Sequence, residues 1–286
     1  MATVLGEEQG DAALVTFNGA SFDLPLLRSR FVRHRIVAPG QPTVVDGRPH
    51  YDLLVAARRM WKGRGPDCKL STLERLQLSV ERQGDVHGSE IAEAYWGWLR
   101  DPDDPAAQAL LDRIEAHNRV DLVSLAGLAA ELGERLQRPR GLADMVRAAD
   151  HHARQSRPAR ALAVLQPGLA QLRESSVVPS HASPQGGLLR DVALLAAELL
   201  RKKKAHGDAA ALWAHVCRAT PGHPDAHDRL AKHFEHRLRD PAAALSVAEH
   251  STLPCPRRIA RLSDKIAASG AAPVAYQTAL ARVSAV

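Results

Sequence analysis

Cysteine is scarce: Cys68, Cys217 and Cys255 are far apart and none belongs to a CxxC pair. That argues against a disulfide framework and a structural zinc site. No apolar run approaches the roughly 18 residues that span a bilayer. The opening MATVLGEEQGDAA is acidic and lacks the basic-then-apolar pattern of a secretory signal, so the expected location is cytoplasmic. Phosphate-cradling GxxxxGK[ST] and GxGxxG loops are absent, and no Ser or Cys sits in a nucleophile elbow. Nucleotide-dependent and covalent-nucleophile chemistries therefore have no sequence support.

What is there is an ordinary globular composition, 286 residues with 45% hydrophobic and 24% charged. The length suits one large domain or two modest ones. The net charge of +6 is unevenly spread. Residues 1–140 hold 18 Lys+Arg against 20 Asp+Glu, whereas residues 141–286 hold 20 against 12. A basic second half is compatible with an acidic partner such as nucleic acid, and equally with an Arg-rich composition that serves no ligand.

The two halves differ in texture. In the first, Leu14 to Asn18 reads as a buried strand closed by Asn18-Gly19. Phe22 to Arg35 reads as a helix with Phe22, Leu26, Leu27 and Phe31 on its apolar face, Ser21 as N-cap and Pro25 in the first turn. Tyr51 to Leu54 is a second candidate strand, although Asp52 to Trp61 also fits a helix. Ser71 and Glu74 have capping-box spacing. Ile91 to Leu99 reads as helical, and Ala106 to Leu136 as one long helix or two joined ones.

The second half reads as helical and repeats itself. The blocks 157–162, 207–212 and 240–245 share a turn, then an Ala-rich start, then Leu162, Leu212 or Leu245. The step from Leu212 to Leu245 is 33 residues; the longer step from Leu162 contains the loop Pro179 to Gly187. Ala219 to Ala226 reads as a junction between helix pairs. The pattern resembles tetratricopeptide repeats, with an unrelated helical bundle as the alternative.

Chemistry concentrates in two places. Asp23 follows the Asn18-Gly19 turn, at the strand-end rim where α/β ligands bind. A carboxylate there suits a hard divalent cation. His117 and Asp121 are four apart, hence on one helix face, where a His can orient a water near a carboxylate. Taken singly, each is more often a cap or a surface pair.

Together with intervening landmarks they carry a resemblance. Residues 12–136 resemble the YprB-type ribonuclease-H-like domain family, within the DnaQ-like (DEDD) 3′–5′ exonucleases. Asn18 to Leu27 matches the second exonuclease motif and His117 to Asp121 the third. His50 to Leu54, Arg58 to Lys62, Leu70 to Glu74 and Asp85 to Ile91 lie between them in the expected order. The resemblance implies an α/β ribonuclease-H-like domain over 1–138, its first strands missing, then tetratricopeptide-like helical repeats over 139–286. It implies Asp23 and Asp121 as catalytic and metal-holding carboxylates, His117 as the water-orienting residue and Mg²⁺ or Mn²⁺ as cofactor. It implies nucleic acid, DNA or RNA with a single-stranded 3′ end, as partner. Asn18, Phe22, Arg58, Arg59, Trp61 and Lys62 are candidates to contact it. The repeats are a candidate surface for a protein partner.

One expected element is absent. The family's Asp-x-Glu should precede Leu14, and residues 1–13 contain none; Glu7, Glu8 and Asp11 do not form it. The expectation is therefore an exonuclease-like protein of weak or no activity as it stands. The alternatives are a longer natural protein, a strand-donating partner, or a catalytically dead binding module. Asp52 is expected to tie down neighbouring backbone. His151-His152 and His223 with His227 have metal-like spacing but no completing ligand.

Overall fold

The computed structural model describes residues 13–43, 45–82, 88–174 and 183–283. Two compact units meet in sequence at Glu134–Arg135. In the first, strand β1 (Leu14–Thr16) pairs in parallel with β2 (His50–Asp52), Val15 opposite Tyr51. A parallel pair needs a crossover, and helix α1 (Asp23–Arg33) lies within it. Thr16 Oγ1 and His50 Nε2 share a 2.8 Å hydrogen bond across the pair.

The turn after β1 is dictated by two residues. Asn18 has φ +65°, a left-handed conformation that Asn tolerates, and its carbonyl accepts the N–H groups of Ser21 and Phe22. At Gly19 a Cβ would fall 2.4 Å from the Thr16 side chain, so only glycine fits. The strand is thus three residues rather than the five predicted, because Phe17 and Asn18 belong to the turn. Asp52 locks the turn from β2. Its carboxylate accepts N–H groups from Asn18 (2.9 Å) and Ala20 (3.2 Å), and caps helix α2 (Leu53–Trp61) through Leu54 N–H.

Three local expectations are corrected. Helix α1 starts at Asp23 with no side-chain cap, so Ser21 is not its N-cap. Its inward residues are Leu24, Leu27 and Phe31, packed with Val45, while Phe22 and Leu26 are exposed. The helix phase follows the small core that includes Leu14 and Val37, not the first apolar residue. The Ser71–Glu74 capping box does not form: helix α3 (Leu70–Leu73) already contains Ser71 and runs into a π-helical turn, Glu74–Leu78. Helices α4 (Gly88–Arg100) and α5 (Pro105–Gln137) follow, the latter unbroken.

The second unit is helical throughout its described residues: α6 (Leu142–Arg154), α7 (Pro158–Glu174), α8 (Pro184–Lys202), α9 (His206–Ala219), α10 (Pro224–His233), α11 (Pro241–Glu249), α12 (Pro256–Ser269) and α13 (Tyr276–Ala281). A second π turn, Phe234–Leu238, follows α10. From α6 to α12 each helix packs on the next. The three repeated blocks open α7, α9 and α11, and their equivalent alanines Ala161, Ala211 and Ala244 are all buried. Small side chains at those positions let helix axes approach closely, which is why the repetition is written in alanine. The first part of the predicted loop, residues 179–182, lies outside the described residues; Pro184 to Gly187 already form the first turn of α8, capped by Ser183.

One polar cluster around the buried His227 fastens α13. Tyr276 stacks on His250 (ring centroids 3.9 Å) and on His227 (5.8 Å). Its hydroxyl is 2.7 Å from His227 Nε2, and His227 Nδ1 is 2.7 Å from the His223 carbonyl. Both nitrogens of this fully buried ring thus have polar neighbours, as burial requires.

Candidate functional site

Asp23, at the first position of α1, and Asp121, on α5, line the same open cleft of 480 Å³. Its floor is apolar: Leu14, Val15, Phe17, Leu24, Leu27, Val45, Leu70 and Leu125. The fold therefore brings together the two carboxylates that the sequence singled out. His117 stands one helical turn from Asp121, with Nε2 3.6 Å from Asp121 Oδ2.

Two residues not singled out for the site organise it. Arg82 donates to both oxygens of Glu74 at 2.6 Å, to Asp121 Oδ1 at 2.5 Å, and lies with Nη1 3.1 Å from His117 Nδ1. Glu74 is completely buried, and the Arg82 side chain is 12% exposed. The hydrogen bonds from Arg82 to Glu74, then that to Asp121, raise the guanidinium pKa further above its high ordinary value, despite the opposing effect of burial. A guanidinium only donates, so His117 Nδ1 accepts, and the ring proton of the neutral imidazole sits on Nε2, facing Asp121. A sequence signal for Glu74 existed: it occupies an apolar-stripe position next to Leu73, with Leu70 and Leu78. Nothing in the spacing pointed to Arg82 as its partner.

The basic cluster divides. Arg58 and Lys62 line a second open cleft of 730 Å³ together with Asn18, Gly63, Gly65, Lys69 and, shared with the first cleft, Phe17 and Leu70. Its acid, Asp67, is held below the usual carboxylate range by hydrogen bonds from the Thr72 side chain and the Lys69 backbone. Arg59 is exposed but outside this wall, and Phe22, 66% exposed, belongs to neither cleft. Trp61 is corrected: it is 3% exposed, packed inside with Met60 and Ala57, and has no free ring face to offer a base. The Asp85–His87 part of a predicted motif, and Glu7, Glu8 and Asp11, lie outside the described residues.

Residues 3–133 match the family model of the RNase_H superfamily. The first unit is a ribonuclease-H-like domain. Its sheet has two strands among the described residues, and the remainder of the chain is mainly helical, so an incomplete α/β domain is followed by a helical one. The chain is also similar to the uncharacterized protein YprB of Bacillus subtilis, 27% identical over 243 residues, which cover 84% of this chain and 54% of YprB. The chain thus spans about half the length of that curated relative. No solved structure matches.

Ribonuclease-H-like proteins generally use divalent metals. Among the described residues no group of three or more His, Cys, Asp or Glu side chains converges to hold an ion. Of the two cleft carboxylates, one already has its Oδ1 on Arg82. Two such acids do not fit a two-metal centre, which needs several unpaired carboxylate oxygens.

Proposed function

We propose that the first unit is a nucleic-acid-binding, 3′–5′ exonuclease-like module that receives a single-stranded 3′ end in the Asp23–Asp121 cleft. The observation that carries this reading is that Asp23 and Asp121, far apart in sequence, share one cleft. The adjoining cleft supports it. Arg58 and Lys62 have no ion-pair partner among the described residues, and Phe17 stands between the two hollows. Phosphates suit the cations, and an apolar floor suits a sugar or base. Arg82 on Asp121 favours weak or absent hydrolysis, with binding as the main property. The helical unit is, in this reading, a tetratricopeptide-like surface for a protein partner.

The test is fluorescence anisotropy with a labelled single-stranded DNA or RNA at several salt concentrations, alongside a degradation assay with Mg²⁺ or Mn²⁺. Each phosphate contact on a single strand contributes a log–log salt slope of about −0.7. Arg58→Glu with Lys62→Glu is expected to weaken binding and flatten the slope by about 1.4. Affinity that ignores both salt and this pair removes the nucleic-acid reading. Any degradation seen must fall with Asp23→Ala to belong to this cleft.

A further inference from the structure

The donor set that fails to suit a two-metal centre contains its own cation. We infer that Arg82 is the resident cation of the Asp23–Asp121 cleft and competes with divalent metal for Asp121. The competition is for the Asp121 carboxylate. Its Oδ1 accepts from Arg82 at 2.5 Å, and Oδ2 stands 3.6 Å from His117 Nε2, so a divalent ion cannot take both oxygens while Arg82 is in place. Arg82 cannot easily swing away, because the buried Glu74 holds it by two parallel hydrogen bonds of 2.6 Å. Its remaining nitrogen faces His117, so the guanidinium joins both members of the His117–Asp121 pair. A metal entering beside Asp121 meets like charge at close range and must detach a charge-assisted hydrogen bond before it gains Oδ1 as a ligand. The cleft consequently has a cation built into the chain, whose charge Asp121 shares with Glu74. A strand phosphate approaching this cleft meets a partly compensated Asp121 rather than a bare one, which lowers the repulsion under chelating conditions.

The test is Mn²⁺ binding to the full chain, read from the loss of the free-ion electron paramagnetic resonance signal, and needs no nucleic acid. Arg82→Gln is expected to tighten Mn²⁺ binding by about tenfold or more, and adding Asp121→Asn is expected to abolish that gain. Removing Arg82 takes two charge-assisted hydrogen bonds from the buried Glu74, so Glu74→Gln with Arg82→Gln is measured in parallel; it removes both charges of the anchor and must show the same Asp121-dependent gain. Unchanged affinity in the folded variants overturns the inference. So does a gain that survives Asp121→Asn, or tight Asp121-dependent binding by the wild-type protein. These outcomes stand apart from the nucleic-acid reading, whose failure would show in the anisotropy assay while the Mn²⁺ result still decides the role of Arg82.

Discussion

The two units solve the burial problem differently. In the helical unit alanine-lined helices enclose one continuous core that reaches from Met145 to Leu280. In the ribonuclease-H-like unit the cluster around Leu24, Phe31 and Val45 is small, and large apolar side chains remain in solvent: Phe22, Tyr51, Trp96, Leu122 and Val123 among them. Only Leu238 and Leu253 are comparably exposed in the helical unit, among the described residues. A two-stranded sheet has few faces on which to bury side chains, whereas stacked helices bury a stripe on each neighbour. The first unit spends its polar groups on a cleft; the second spends them on fastening helices.

The contrast can be broken by mutation. The largest effect is expected from Phe234→Ala, which empties a fully buried site in the helical core and should cost about 3–5 kcal/mol in urea denaturation. Next come the two buried glutamates. Glu74 is held by Arg82, with a side chain 12% exposed, whereas Glu235 is shared among Arg261, Lys265 and a more distant Arg258. Arg82→Ala is expected to cost about 3 kcal/mol because it takes two charge-assisted hydrogen bonds from a buried carboxylate. Arg261→Ala, half exposed and backed by Lys265, should cost much less than Arg82→Ala in the same denaturation assay. Equal costs would erase the distinction between a cleft network and a fastening network.

Acid should act on the helical unit in a specific window. Burial pushes His223, His227 and His233 below the ordinary value of 6.5. A base with a depressed folded pKa contributes stability that is complete above its unfolded value and is lost as pH falls through 6.5 toward the folded value. The melting temperature should therefore decline from pH 7.5 to pH 5.5. His227→Gln should make that decline shallower, since the amide does not titrate. The smallest effect is expected at Val123, 74% exposed: Val123→Ala should stay within about 0.5 kcal/mol in the same denaturation assay.

Much of this was legible along the chain, for reasons that differ by residue. The Leu14-to-Gly19 segment declares a strand and turn because Asn18 and Gly19 are residues that accept that backbone. Asp52 was expected to tie down backbone, and it accepts three N–H groups. The repeated alanines mark the helix starts because they answer a packing constraint. Trp61 misled because its neighbours Arg58, Arg59 and Lys62 are surface residues, although it also continues the buried stripe of Leu53, Ala57 and Met60. The Arg82 network was illegible for a geometric reason. Between Glu74 and Arg82 the backbone leaves α-helical winding, so neither a 3.6- nor a 2-residue period relates their directions.

That departure is the π turn Glu74–Leu78, closed by Ser79 at φ +56° with its N–H on the Glu74 carbonyl. Its counterpart, Phe234–Leu238, closes the same way through Arg239 at φ +53°. A π turn accommodates a residue more than an α turn of the same rise. Each segment is therefore intolerant of length change although it tolerates many exchanges of residue type. Loss of Gln77 alone would convert the turn to ordinary α winding and undo the Ser79 N–H to Glu74 carbonyl closure that precedes Arg82. Among descendants of this chain, the spacing between Glu74 and Arg82 is expected to stay fixed in number while the side chains between them drift.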